Sequence, residues 1–189
     1  MMSHLGQLLQ AEKDAVKVTE LDSTWPVGFA QLALVLEQKG ETERALEVLK
    51  NAVENLKAKP LLMGYGQLLA KNEQYEEAKE QFLKLLSDGE SYPEASFALG
   101  LVYLKLDNPI EAAKVFENLY NEEVFASKSA FYLGRIYYYQ KQYQDALLWF
   151  EKVDNGVHHV DSWVSIAMIK SEMGDLQGAR RDLKQLRKE

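Results

Sequence analysis

Alanine returns along this chain at Ala45, Ala78, Ala112, Ala146 and Ala179, a near-constant period of about 34 residues. Twelve residues ahead of each stands a second small residue: Ala33, Gly66, Gly100, Gly134 or Ala167. A fixed period of this length means that one supersecondary unit is repeated and stacked, and it takes precedence over any reading of a single compact core. Four residues after each alanine comes a large apolar group, Leu49, Phe82, Phe116, Phe150 or Leu183, and three further on Ala52, Leu85, Leu119, Val153 or Leu186. That spacing is helical. Leu32, Tyr65, Leu99, Leu133 and Ile166 lie immediately before the first small position, and Leu36, Leu69, Tyr103 and Tyr137 continue its stripe three residues later. Each unit therefore reads as two amphipathic helices.

Polar and glycine residues mark the turn inside each unit: Lys39-Gly40, Asn72-Glu73, Asp107-Asn108-Pro109, Lys141-Gln142 and Gly174-Asp175. Asn108 reads as a helix N-cap with Pro109 at the first helical position, where the missing N–H costs nothing. The runs 22–26, 88–93 and 154–156 break the helices between units. The small residues let the two helices of a unit approach closely and the Phe or Leu fills the adjoining groove. A large residue at either small site is expected to wedge the pair apart.

These residues carry a resemblance. Leu99-Gly100, Tyr103, Ala112 and Phe116, then Leu133-Gly134, Tyr137, Ala146 and Phe150, are similar to the tetratricopeptide pattern, which runs here from about Pro26 to Leu186. The early-helix Trp of that pattern occurs only as Trp163, the late Pro falls slightly afterwards at Pro60 and Pro93, and Lys170 stands where the last unit would have Tyr. The resemblance implies an all-α, right-handed superhelix, an α-α solenoid of about five helix-turn-helix repeats. The expected partition is an N-terminal helix in 1–25, repeats at 26–58, 59–92, 93–126 and 127–159, and a fifth repeat or C-terminal cap at 160–189. Leu5 to Val18 forms one more amphipathic segment, with Ala11 placed one period before Ala45, and resembles the second helix of a truncated repeat. A longer array cut at this point is the expectation, with an N-terminal cap as the alternative.

In such a fold the first helices of successive units line a concave face. The resemblance then puts Met63, Gln67, Phe97, Leu101, Leu104, Phe131, Arg135, Tyr138 and Tyr139 in a partner-binding groove. Aromatic residues supply contact area at low entropy cost and an arginine can fork a carboxylate, so the stripe suits capture of a peptide or helical segment. Of Tyr137-Tyr138-Tyr139, whose side chains point about 100° apart, Tyr137 is expected in the core and the other two in the groove. Co-chaperones of this family hold heat-shock-protein tails with Lys, Asn and Arg at set positions. Here Ala30, Leu34, Met63 and Gln67 stand where the early members of that clamp are needed, which argues against that function. From Leu61 to Leu186 the texture of segments such as 65–69, 132–136 and 149–153 also resembles the carboxy-terminal repeats of gammaproteobacterial envelope proteins, some of them protease adaptors. That resemblance implies a longer lipoprotein and a periplasmic location.

A formal charge of −7 and a pI near 5.1 oppose phosphate backbones, and only the last helix, with Arg180, Arg181, Lys184, Arg187 and Lys188, gathers basic residues. They read as a solvated terminal helix suited to its dipole. Nucleic acid is not an expected partner. Cysteine is absent, which removes disulfides and thiolate metal sites and leaves cytosol and periplasm both open. No stretch is apolar enough for membrane insertion, and the residues 1–6 show no signal-peptide pattern. His158-His159, beside Asp161, are read as exposed turn residues rather than metal ligands. The carboxylates between Glu73 and Glu80 sit on a polar helix face. With no phosphate loop, zinc-protease helix or nucleophile elbow, neither enzyme activity nor a cofactor is expected. The leading expectation is a non-catalytic protein-binding scaffold. The alternatives are an assembly spacer, homodimeric through its terminal helices, and an envelope-protease adaptor.

Overall fold

The computed structural model describes residues 4–154 and 156–187, with the side chain of residue 4 outside that description. Asn155 and Lys188, named above in a helix break and in the basic cluster, lie outside it, as do residues 1–3. The chain forms helices α1 (His4–Leu21), α2 (Pro26–Gln38), α3 (Thr42–Leu56), α4 (Lys59–Lys71), α5 (Tyr75–Leu86), α6 (Pro93–Lys105), α7 (Pro109–Leu119), α8 (Glu123–Tyr139), α9 (Tyr143–Phe150), α10 (His159–Glu172) and α11 (Leu176–Leu186). No strand occurs among the described residues. The helices fall into two compact units, Met1–Ser91 and Tyr92–Glu189. In the first, α1 packs on α2, and the hairpins α2/α3 and α4/α5 follow; in the second, the hairpins are α6/α7, α8/α9 and α10/α11.

Proline and the left-handed turn divide the punctuation between them. All four prolines open helices, at the start of α2, α4, α6 and α7, so Pro60 and Pro93 mark the beginning of a first helix rather than the end of a second. Asn108 occupies the N-cap position of α7 but its side chain makes no capping bond; its backbone serves instead, the amide donating to the Tyr103 carbonyl at 2.9 Å and the carbonyl accepting from the Ala112 amide at 3.1 Å. Asp175 does cap, accepting from the Gly178 amide at 2.8 Å. Inside every hairpin one residue is left-handed: Gly40 (φ 80°), Glu73 (61°), Asp107 (56°), Lys141 (60°) and Gly174 (88°), one to each period of the sequence. The three side-chain-bearing members adopt a conformation that costs an L-residue about 1–2 kcal/mol. The hairpin holds them there.

The small positions meet the large ones within the same hairpin. A Cβ added to Gly66 would lie 2.8 Å from Phe82, one at Gly100 2.8 Å from Phe116, and one at Gly134 2.7 Å from Phe150. Each phenyl ring lies against bare backbone and is almost fully buried, as are Ala78, Ala112 and Ala146 one turn earlier on the same helices. Where the first helix carries Ala33 or Ala167 instead of glycine, the second carries Leu49 or Leu183 instead of phenylalanine. Volume is thus exchanged across the contact. Leu49 is buried, whereas Leu183 is 46% exposed.

At the other end α1 stands alone against α2, with Ala15 and Leu8 buried and Ala11 half-buried, and with the bare backbone of Gly28 3.0 Å from the Val18 side chain once a Cβ is placed on it. Glu12 anchors it: Lys39 contacts its carboxylate closely and Arg44 reaches it at 3.0 Å, and these bonds hold Glu12 below the usual carboxylate range despite partial desolvation.

The glycine–phenyl contact makes a quantitative prediction. Gly134→Ala lowers stability by about 1–3 kcal/mol through overpacking, although alanine is favoured over glycine in a helix by about 1 kcal/mol. Gly134→Leu and Ala112→Leu each cost more than about 1 kcal/mol for the same reason. Phe150→Leu is also destabilising alone, but combined with Gly134→Ala it recreates the Ala33–Leu49 pairing and recovers about 1 kcal/mol as a coupling energy. Urea denaturation of the four chains of this cycle measures it, and strict additivity would show that the ring is not what the new methyl strikes.

Candidate functional site

The first helices of the first unit, α2 and α4, enclose a depression of about 390 Å³. Ala30, Leu34, Gly64 and Gln67 line it, Leu49 and Leu68 form its floor, and the Glu37–Lys71 ion pair bridges its rim. Gln67 is exposed there; Met63 is half-buried and does not line the depression. The cation lining this place, Lys71, is already paired, so the wall is apolar and amide in character.

In the second unit the first helices are α6, α8 and α10. Phe97 of α6 is enclosed by Phe116, Phe125 and Tyr132 with ring centroids 5.6, 5.4 and 5.6 Å away. Phe131 of α8 is only 7% exposed: it packs 6.0 Å from Phe150, and the His158 imidazole stacks on it at 4.2 Å and 3°. Both rings were expected in an open groove, and the structure places Phe131 in the core instead, because the residue ahead of the next first helix folds back over it. Leu101 and Leu104 are half-buried beside them. Tyr138 is half-buried too, donating to Glu172 at 2.8 Å and packing at a tilt against Tyr139 and Tyr143. Hydrogen bonds from Tyr143 and Tyr138 hold Glu172 below the usual carboxylate range. Tyr137 is half-buried and packs against the core, with its hydroxyl 3.3 Å from Glu117. Tyr139, 72% exposed, is the outward ring of the three.

Charge on this face comes from α8. Arg135 lies 5.8 Å from the Phe131 and Tyr139 rings, and Lys128, two turns earlier, 6.0 Å from Phe97 and 5.6 Å from Phe125. Val164 and Met168 extend the face onto α10 as exposed apolar side chains. Lys128, Val164 and Met168 occupy the second, fifth and ninth positions of their units, so the register that picks out Phe97 and Arg135 applies equally to them. Stopping the count short missed them.

The two histidines are not simple exposed turn residues. Both are half-buried: His159 opens α10 with its Nδ1 2.9 Å from the Asp154 carbonyl, and the Nδ1 of His158 is buried without a hydrogen-bond partner. Burial pushes the His158 imidazole below its usual range, Asp161 pulls the other way, and Lys128 and Arg135 add to the lowering. Among the described residues no group of three or more His, Asp or Glu could hold a metal ion. A second recess, of about 440 Å³, opens between α9, α10 and α11, with Phe150, Val153, Trp163 and Ile166 as walls and the 2.7 Å Lys170–Asp182 pair at its edge. It lies at the C-terminal end of α9, whose last residue is Phe150.

An all-α array of helical hairpins, three of them with a phenyl ring against a glycine, defines a repeat scaffold. The sequence profile of the tetratricopeptide repeat matches residues 31–93, 64–123 and 97–156, and the chain belongs to that family. Family members generally serve as protein–protein interaction modules without catalytic activity of their own. A search of the curated proteins finds no match. Among solved structures, the chain is similar to YrrB, described as a tetratricopeptide protein with an unusual peptide-binding site, at 23% identity and a TM-score of 0.74 over 93% of this chain and 92% of that one. It is similar to PilF of Pseudomonas aeruginosa at 24% identity and a TM-score of 0.73, covering 97% and 84% of the two chains. MamA of Desulfovibrio magneticus follows at 19% identity and 0.73, over 85% and 92%. At these identities the likeness is one of fold. No helix among the described residues is long and apolar enough to cross a membrane.

The burial contrast on α8 is testable without any partner. Phe131→Ala removes a core ring and lowers stability by about 3 kcal/mol, whereas Tyr139→Ala changes it by less than about 0.5 kcal/mol. Thermal unfolding of the two chains distinguishes them, and equal melting temperatures would place Phe131 outside the core.

Proposed function

We propose that this protein is a non-catalytic scaffold that captures an extended or helical segment of a partner protein on its first-helix faces, with the repeats partitioned at 26–58, 59–92, 93–126, 127–159 and 160–189. The supporting observation is the outer surface of α6, α8 and α10, where Leu101, Leu104, Arg135, Tyr139, Val164 and Met168 offer apolar and aromatic area beside an arginine. Such a mixture suits a peptide whose side chains enter between helices while its polar groups meet the rim. In the first unit the depression at Leu34 and Gln67 offers a second, uncharged contact. Within the groove set, Met63, Gln67, Leu101, Leu104, Arg135, Tyr138 and Tyr139 are assigned direct contact, and Phe97 and Phe131 shape the wall from behind. That YrrB, of similar fold, has a peptide-binding site agrees with this reading. An adaptor role toward an envelope protease is a narrower form of it and would use the same surface.

Exposed Leu176 and Leu183 on α11, with Leu5 and Leu9 on α1, favour a second reading in which end helices pair with another copy. Sedimentation over a range of concentrations decides it: a concentration-independent monomer overturns self-assembly.

Photo-crosslinking tests the scaffold reading. A photoreactive amino acid at positions 101, 139 and 168 is expected to trap the same partner in extract of the source organism, while the same group at Glu80, Glu117 and Leu148, on second helices, traps none. Adducts formed equally from both sets would overturn the assignment of the face.

A further inference from the structure

The register exposes an equivalence between two ring pairs of the second unit. Phe97 and Phe131 stand one period apart, and the residues that cover them, Phe125 and His158, are separated by almost the same interval. Phe125 leans on Phe97 at a centroid distance of 5.4 Å, and His158 lies parallel on Phe131 at 4.2 Å. In both places a ring from the segment ahead of, or at the start of, the next first helix caps the wall of the face. In one it is a phenyl group; in the other it is an imidazole whose Nδ1 is buried and has no hydrogen-bond partner. An apolar ring fills the first place, so packing alone does not explain the choice of histidine in the second.

The electrostatic setting supplies a reason. Lys128, Phe131 and Arg135 lie on one stripe of α8, and the two cations are seven residues apart, about 10.5 Å along the helix axis. Two lysines elsewhere in this unit are neutralised, Lys114 by Glu111 at 2.8 Å and Lys170 by Asp182 at 2.7 Å. Lys128 and Arg135 pair with no carboxylate among the described residues; aromatic rings lie beside them instead. The second positions of the units of α6 and α10 carry the exposed acids Glu94 and Asp161, so the positive field of the face is confined to the α8 stripe, where two cations stand seven residues apart with no described carboxylate on them. The charged groups around His158 are these two from α8 and Asp161 from α10.

We propose, resting on the scaffold reading above, that the α8 face of the second unit receives an extended acidic segment of a partner protein, whose carboxylates engage Lys128 and Arg135 and recruit His158 as a third cation when it takes up a proton. A segment in the polyproline II conformation has three residues per turn and rises about 3.1 Å per residue, so two carboxylates three residues apart point the same way and stand about 9 Å apart, close to the span of the two cations, and an apolar side chain beyond the second meets Tyr139. Arginine holds its carboxylate bidentately and lysine as a point charge. In the free protein burial shifts His158 toward its neutral form, with the two cations adding to the shift and Asp161 opposing it. A bound carboxylate reverses that field and favours the imidazolium. By linkage, proton uptake on binding means that affinity rises as pH falls through the range where the imidazole titrates.

The test selects a random peptide display library on the whole chain and counter-selects on the Lys128→Glu/Arg135→Glu chain, after the melting curves of the two are shown to match. Peptides kept by the parent are expected to carry paired Asp or Glu about three positions apart. A fluorescein-labelled selected peptide should bind the parent more than about tenfold more tightly than the double variant. It should also bind more tightly at about pH 5.5 than at about pH 7.5, a gain that vanishes in His158→Phe. That substitution installs the ring already present at Phe125, so the fold is expected to tolerate it. If the peptides that bind the parent before counter-selection are neutral and apolar and bind the double variant equally, the acidic segment is overturned while the scaffold reading stands. No peptide retained by the parent over the variant, together with an absence of adducts from positions 101, 139 and 168, would overturn both. Acidic peptides whose affinity ignores pH would overturn the role of His158.

Discussion

The phenyl ring resting on a helix with no side chain is the contact from which the remaining geometry follows. In the middle three hairpins a glycine of the first helix gives its Cβ space to Phe82, Phe116 or Phe150 of the second, and the two backbones come as near as an aromatic ring allows. Phe116 and Phe150 also receive an outward-register ring of their own first helix, Phe97 and Phe131, so those two positions are taken up by the hairpin. On α8 the outward positions Arg135 and Tyr139 are left exposed. The face and the core are two sides of one helix, and the volume rule inside permits variety outside.

The same packing fixes the turns. A left-handed residue is required at one place in each hairpin, and glycine supplies it only at Gly40 and Gly174, while Glu73, Asp107 and Lys141 are forced into it. Local preference and tertiary demand disagree at three of five turns, and the tertiary demand prevails. The accumulated burial of the neighbouring Ala and Phe residues outweighs a penalty of about 1–2 kcal/mol at each.

How much was legible in the sequence depended on whether a residue obeyed the period or departed from it. The period itself disclosed the helices, the hairpins and the small–large contact, since Gly134 and Phe150 could be paired by counting. The family resemblance, applied to that period, added the outward positions of each first helix, among them Arg135 and Tyr139, and both are exposed. It could not disclose Phe131. That residue sits at an outward position by register, and only the backward fold of the chain at His158 covers it. The covering group is aligned with Phe125 but chemically unlike it, and a reading that looked for histidines as metal ligands passed over it. Asn108 shows the reverse: its type suggested a capping side chain, yet the cap bond is not made, although Pro109 leaves the amides at the second and third helical positions available.

Leu183 occupies the place that Leu49 fills in the first hairpin, yet nearly half of it meets solvent. On α11 only Gly178 and Ala179 are buried, against Ala112, Phe116 and Leu119 on α7, so among the described residues the second unit is gripped least tightly at α11. Stability within this unit is therefore graded, from the enclosed rings of Phe116 and Phe150 to the thinly packed α11.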